Sequence, residues 1–236
     1  MILAAGLGTR LAPFTHHHPK ALARVGGKTL LELTIRRLQA AGIFDIVVNV
    51  HHFADQINSE LQANNGFGSN YSISDESAEV LETGGGLLFA KSLLEDSENF
   101  IVINVDIISN INLRNLINAH LQNNAVATLA VQQRTSSRYL LFDSDQQLVG
   151  WKNEAKNEYR PADIDKSAIA ATKAFSGIQV LHKSIFELIQ RKGKFSLIDL
   201  YLDVCATQKI VGYDHTGDVL LDVGKPEALA EAIKYI

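Results

Sequence analysis

What most constrains this chain is a repeated alternation of short, β-branched apolar runs with stretches whose apolar residues recur every three to four positions. "FDIVVNVHHF" (44–53), "NFIVINVD" (99–106) and "AFSGIQVLH" (174–182) have the length and composition of buried strands. "TLLELTIRRLQAA" (29–41), "ADQINSELQANNG" (54–66) and "RNLINAHLQNN" (114–124) have helical period, the first ending on Gly42 as a C-cap. Shorter strands are expected at 2–5, 71–76, 125–133 and 138–143, with a helix starting on the glycines at 84 and a strand–loop–helix from 219 onward. Strand–helix–strand repetition predicts an α/β fold: a three-layer, mostly parallel, doubly wound (Rossmann-like) sheet with helices on both faces. Residues 1–236 read as one domain, and the polar stretch 151–173 reads as an excursion or lid. In such a sheet the ligand is expected at the carboxyl ends of the strands.

The first of those ends carries "LAAGLGTRLAPFTHHHPKAL" (3–22). It is glycine-rich but not a dinucleotide fingerprint, because Leu11 stands where the third glycine belongs. The P-loop spacing is absent too, and "VGGKT" (25–29) only imitates it: Leu22 occupies the position of its first glycine. That segment reads as a turn and an N-cap. Gly6 and Gly8 let backbone N–H groups approach a polyphosphate without side-chain obstruction. Arg10 adds a planar cation that can fork onto phosphate oxygens, and Lys20, held extended after Pro19, adds a second charge. Two cations on one glycine cradle suit a triphosphate undergoing displacement. Asp106 and Asp222 each follow an apolar run, where carboxylates can share one Mg²⁺ if their strands are neighbours.

Other features narrow the class. A net charge of −4 without a single-sign block argues against a nucleic-acid or anionic-membrane partner. No apolar run approaches the roughly 20 residues of a membrane span, and no signal-peptide pattern opens the chain. One cysteine, Cys205, excludes an internal disulfide and fits a reducing cytoplasm. The expected protein is therefore soluble and cytoplasmic, a monomer or a homodimer. His16, His17 and His18 are adjacent on a loop and do not have metal-ligand spacing. His51 and His52 follow a strand, as a substrate contact or as local caps. No Ser-His-Asp or Cys-His set is evident. Two other classes stay open at this point: an oxidoreductase, opposed by the missing third glycine, and a non-catalytic nucleotide-sugar binder.

Leu3-Ala4-Ala5-Gly6-x-Gly8-Thr9-Arg10-Leu11-x-Pro13-x-Thr15, followed by Pro19-Lys20, resembles the signature of sugar-1-phosphate nucleotidyltransferases. "LETGGGL" (81–87), "NVD" (104–106), "FSGIQV" (175–180) and "DVGKPE" (222–227) are similar to that family's later motifs, in order and across the whole chain. The length and "LETGGG" look most like N-acetylmuramate-1-phosphate uridylyltransferases and mannose-1-phosphate guanylyltransferases. The resemblance implies the nucleotide-diphospho-sugar transferase fold and transfer of a nucleoside monophosphate from a triphosphate to a sugar-1-phosphate. The pairing expected first is UTP with N-acetylmuramate-1-phosphate, the alternative GTP with mannose-1-phosphate. It implies that Gly8, Thr9 and Arg10 bind the nucleotide's phosphates and that Lys20 acts at the reacting centre. Asn104 would touch the nucleotide, Glu82, Thr83 and Gly84 would lie against the base, and Gly177 would let the sugar approach. Asp106 and Asp222 would hold Mg²⁺. The family's Glu-Lys pair that orients the sugar phosphate has no clean match; Lys152 and Arg138 are the candidates. Val105 stands where a glycine is common.

Overall fold

Period-two alternation along each strand sends neighbouring side chains to opposite faces, and in the central strands both faces are largely apolar. The computed structural model describes residues 1–224 and 226–236. Strand β1 (Ile2–Leu3) enters the phosphate loop, and a small hairpin, β2 (Arg24–Val25) with β3 (Lys28–Thr29), closes it. Helix α1 (Leu30–Ala40), β4 (Asp45–Val50), α2 (Ala54–Ala63) and β5 (Asn70–Asp75) follow. Helices α3 (Glu82–Phe89) and α4 (Lys91–Leu94) then lead to β6 (Asn99–Asn104), β7 (Ile107–Ser109) and α5 (Leu113–Asn123). The next strands are β8 (Ala127–Gln132), β9 (Arg138–Phe142), β10 (Leu148–Asn153), β11 (Glu158–Arg160) and β12 (Ala171–His182). Helices α6 (Ile185–Leu188) and α7 (Leu197–Val204), strands β13 (Ile210–Asp214) and β14 (Leu220–Asp222), and α8 (Pro226–Ala232) complete the chain.

The main sheet runs β11-β10-β9-β12-β6-β1-β4-β5, with β8 beside β12 and β13 beside β8. Strands β6, β1, β4 and β5 are mutually parallel, as are β8 and β13, whereas β12 runs antiparallel to β6, β8 and β9. The expected doubly wound sheet is present. Ile2, Val48 and Ile103 point to a core shared with Leu31 and Ile35 of α1, Ile57 of α2 and Leu116 of α5. Leu3, Val47 and Val102 point the other way, to Leu87 of α3 and Leu200 and Tyr201 of α7. Each fully buried aliphatic side chain contributes roughly 1.5–3 kcal/mol. The central strands β1, β4 and β6 are therefore largely apolar on both faces, which is why they read as near-continuous apolar runs.

Local signals account for most boundaries. Thr29 caps α1 by accepting the Glu32 N–H, and the Gly26-Gly27 turn takes two positive φ angles, so "VGGKT" is a turn and cap. Three readings need correction. The stretch 151–173 is not a free excursion: β10 and β11 pair antiparallel with each other and extend the sheet from β9. Its aromatic rings are covered by cations, Arg160 over Trp151 at 4.8 Å and Lys166 over Tyr159 at 4.5 Å, so polar composition hides a built layer. Helix α3 starts at Glu82, ahead of the glycine run. Asp222 lies on a two-stranded ribbon, β7 with β14, and not at the end of a main-sheet strand.

The core also contains a buried imidazole. His120 bonds Thr128 Oγ1 at 2.9 Å and Asn99 Oδ1 at 3.0 Å, and burial lowers its pKa from 6.5 to about 4. Between those values the unfolded chain holds the proton and the folded chain does not. Stability from this group is therefore complete above pH 6.5 and is lost as the pH falls toward about 4. Urea unfolding from pH 4.5 to 7.5 should show this acid slope, and His120→Asn should flatten it.

Candidate active site

The chain leaves β1 between two parallel neighbours, so its first loop opens directly at the carboxyl edge of the sheet. Gly8 is left-handed, φ 62°, and a Cβ there would lie 2.8 Å from Lys20 Cβ. Only glycine lets the loop fold back so that the Lys20 stem packs on it. Thr15 Oγ1 donates to the Gly8 carbonyl at 3.1 Å and fixes the return. A Cβ on Gly6, by contrast, would point into open space.

Lys20 and Asp106 form an ion pair whose side chains are only 12% and 15% exposed. Arg10 lies 3.5 Å from Asp222 in an open pair, 57% and 51% exposed, with its guanidinium over Gly224. The Val223 N–H donates to the Asp106 carbonyl at 2.9 Å, and Asp222 is opposite Ile107 in the ribbon. The two carboxylates thus stand on adjoining backbones, each already facing one of the loop's cations. Among the described residues no group of three or more His, Cys, Asp or Glu could hold a metal. Lys225, within the 222–227 motif, lies outside the described residues.

A cavity of about 460 Å³ opens beside this cluster, lined by Gly6, Lys20, Glu82, Thr83, Asn104, Asp106 and Arg138 among others. Seven of the expected site residues therefore meet in one space. Arg10, Thr9, Gly8 and Asp222 lie on the phosphate loop and the ribbon, outside that lining. Three others are elsewhere for stated reasons. A Cβ on Gly84 would fall 2.4 Å from the Phe195 ring, so the missing side chain lets α3 pack under 195–196. Gly177, φ 72°, turns its hydrogen toward Asn104 Nδ2 and Ile107 Cγ1, each 2.9 Å from a would-be Cβ; it makes room for Asn104. Lys152 pairs with Glu154 at 2.7 Å and is not part of the lining; of the two candidates, Arg138 is the one at the cavity.

The sequence reading missed Glu76, which is almost fully buried in the cavity wall. Its carboxylate accepts from Asn49 Nδ2 and, at 3.2 Å, from the Leu81 N–H, while its carbonyl meets His51 Nδ1 at 2.7 Å. Burial, opposed by those bonds, raises its pKa. Glu76 directly follows β5, as Asp106 follows β6 by two residues, and that shared position was the signal available. Thr83 has a second duty: its Oγ1 accepts the Leu197 N–H at 2.9 Å. The first-turn amides of α3 are also taken, since Gly84 and Gly85 N–H both donate to the Phe195 carbonyl. Those two amides are therefore not available to an anion. Nearby, Arg134 Nη2 donates to the Phe175 carbonyl at 2.9 Å, two residues before Gly177.

The sequence matches the nucleotidyl transferase family over residues 1–236. The chain belongs to that family. It is 30% identical over 234 residues to an N-acetylmuramate alpha-1-phosphate uridylyltransferase of Neisseria meningitidis, covering 98% of this chain and 95% of that one. A Caulobacter vibrioides protein of the same description is 46% identical over 108 residues, 45% of this chain and 44% of its own length. A mannose-1-phosphate guanyltransferase of Yarrowia lipolytica is 30% identical over 230 residues, 96% of this chain and 61% of its own. The match spans less than two thirds of these last two relatives. Among solved structures, HddC from Yersinia pseudotuberculosis complexed with GMP-PN superposes with a TM-score of 0.76, 24% identity, over 99% of this chain and 96% of that one. This last likeness shows the fold. No described helix is long and apolar enough to cross a membrane.

Gly84→Ala should destabilise the fold by about 1–3 kcal/mol through overpacking against Phe195, without a ligand present. A lowered Tm in the apo-protein is the check. An unchanged Tm with weakened nucleotide binding would return Gly84 to the base pocket.

Proposed function

We propose that this protein transfers a nucleoside monophosphate from a nucleoside triphosphate to a sugar-1-phosphate. One observation carries the reading: Gly6, Lys20, Glu82, Thr83, Asn104 and Asp106 share one cavity at the carboxyl edge of the sheet. A phosphate monoester is largely dianionic at neutral pH, with a second pKa of about 6. Its oxygen forms the new bond to the α-phosphorus while the bond to the bridging oxygen breaks, and pyrophosphate leaves with the electron pair. No general base is required. What the chain must do is bring two polyanions together and offset the charge on the leaving group.

Arg10 forks onto the phosphate oxygens, Gly8 and Thr9 supply backbone around them, and Lys20 neutralises charge at the reacting centre. Asp106 and Asp222 would hold Mg²⁺. Two hard carboxylates on adjoining backbones fit that ion, which usually takes one or two protein carboxylates and fills its shell with phosphate and water. When bound, it supplies positive charge to the phosphate oxygens. Asn104, fixed by Gly177, touches the nucleotide, and Arg138 meets the sugar-1-phosphate.

UTP with N-acetylmuramate-1-phosphate is the favoured pairing, supported by the near full-length likeness to the Neisseria protein. GTP with mannose-1-phosphate is the second reading, supported by the Yarrowia relative. Pyrophosphate release measured for four nucleoside triphosphates against a panel of sugar-1-phosphates should single out one pair. Binding of a nucleotide sugar without release in any combination would overturn the catalytic reading in favour of a binder.

Arg10→Ala should lower kcat by roughly 10²–10³, the scale of one preorganised donor, with Arg10→Lys recovering little. Near-normal turnover in Arg10→Ala would remove it from the machinery. Asp106→Asn and Asp222→Asn should each lose most activity, regain part of it in excess Mn²⁺, and combine with little further loss. Additive losses without metal rescue would separate the two carboxylates.

A further inference from the structure

Asp222 owes its place to a ribbon of three-residue strands, which by itself is a weak anchor. The turn just before that ribbon holds a buried polar cluster outside the site. His215 is 5% exposed. Its Nε2 lies 2.8 Å from Ser176 Oγ, and its Nδ1 lies 3.3 Å from Gln132 Nε2 and 3.4 Å from Asp218 Oδ2. The Gln132 amide also donates to the carbonyls of His215, at 3.3 Å, and Asp218, at 2.8 Å, so the turn is bolted to the end of β8. The His215 N–H donates to the Val131 carbonyl at 3.0 Å.

Ser176 sits in an irregularity of β12. The register against β8 shifts between Phe175 and Gln179, and Gly177 within it has φ 72°. This is the bulge that makes room for Asn104. The imidazole therefore joins two parts of the active site, the bulge beneath Asn104 and the turn that delivers β14 and Asp222, beside the Lys173–Asp214 pair that ties β12 to the start of the same turn. Ser176 is 1% exposed, so its alignment with His215 and Asp218 serves position and not nucleophilic attack.

We propose that His215 is a positioning residue that holds the Asp222 ribbon and the Gly177 bulge in register through Ser176, Gln132 and Asp218. The inference rests on the reading of Asp106 and Asp222 as metal ligands. Groups that bond metal ligands directly are typically worth about 10- to 100-fold in metal affinity; His215 acts one link further out, through the turn before β14, so the lower end of that range is expected.

The test uses the whole chain with Mn²⁺ alone as probe, its affinity read by water-proton relaxation, with Tm measured alongside. Ser176→Ala and His215→Leu should weaken Mn²⁺ binding by about 10-fold. His215→Gln, whose amide can still reach Ser176, should recover part of the loss. Ile178→Val, a core change in the same strand, should lower Tm and leave Mn²⁺ affinity alone. If Ser176→Ala and His215→Leu behave like Ile178→Val, His215 is structural only and the inference is overturned. Should His215→Leu fail to fold, Ser176→Ala decides by itself. Failure of the metal reading looks different: wild type binds no Mn²⁺ and Asp106→Asn changes nothing, and the inference then falls with it.

Discussion

The ion pair between Lys20 and Asp106 is the contact on which the active-site architecture depends. It joins the far end of the phosphate loop to the segment just past β6, across 86 positions of sequence. Both side chains are largely withdrawn from water, so removing either would leave a charge without its partner, typically a 3–5 kcal/mol loss. The pair also fixes the shape of the loop. With Lys20 held at Asp106, its stem rests on Gly8, and Gly8 must take the left-handed conformation that a Cβ would oppose. A glycine, a lysine and an aspartate thereby specify one loop geometry together.

The sheet makes this possible because its parallel centre delivers several strand ends to one edge. β1 delivers the phosphate loop, β5 delivers Glu76, and β6 delivers Asn104 and Asp106. Their polar ends can be clustered because the strands themselves are clamped between two apolar layers and need no polar side chain for their own stability. Antiparallel β12 then crosses next to β6 and brings Gly177 against Asn104. Rigid strands carry the acids, and a loop pinned at both ends carries the cations. That division suits chemistry by positioning.

Most of this frame was legible in the chain. Buried strands and amphipathic helices have different periods, Thr29 and Gly42 mark helix ends, and the glycine-arginine-lysine loop admits few readings. What stayed hidden depends on contacts between distant segments. Asp222 follows apolar residues like a strand end, yet its strand pairs with β7, and no local signal separates a three-residue ribbon from a sheet strand. Gly84 sits in a motif associated with nucleotides, but its missing Cβ is explained by Phe195, more than a hundred positions away. Residues 151–173 read as an excursion or lid because their apolar content is low; in the fold the cationic heads of Arg160, Lys152 and Lys166 lie over the Trp151 and Tyr159 rings. Glu76 was hidden by its company, standing in a run of polar residues where burial is the exception.

The charges of the site are arranged so that each carboxylate already holds a cation of the phosphate loop. An unpaired aspartate at this depth would be costly, and an unpaired lysine equally so, so the loop cations serve as internal counterions. A polyphosphate entering the cavity offers Lys20 and Arg10 several oxygens in place of one carboxylate. On the proposed reading, Asp106 and Asp222 would then hold a divalent ion more tightly than they do with those cations in place. Ligand and metal binding would reinforce each other through this exchange of partners. The asymmetry between the two pairs gives that exchange an order: Arg10 and Asp222 are half-exposed and only 3.5 Å apart at best, and such pairs contribute about 0–1 kcal/mol, so they separate first. Lys20 and Asp106, enclosed, would on the proposed reading separate later, once a phosphate lies beside them.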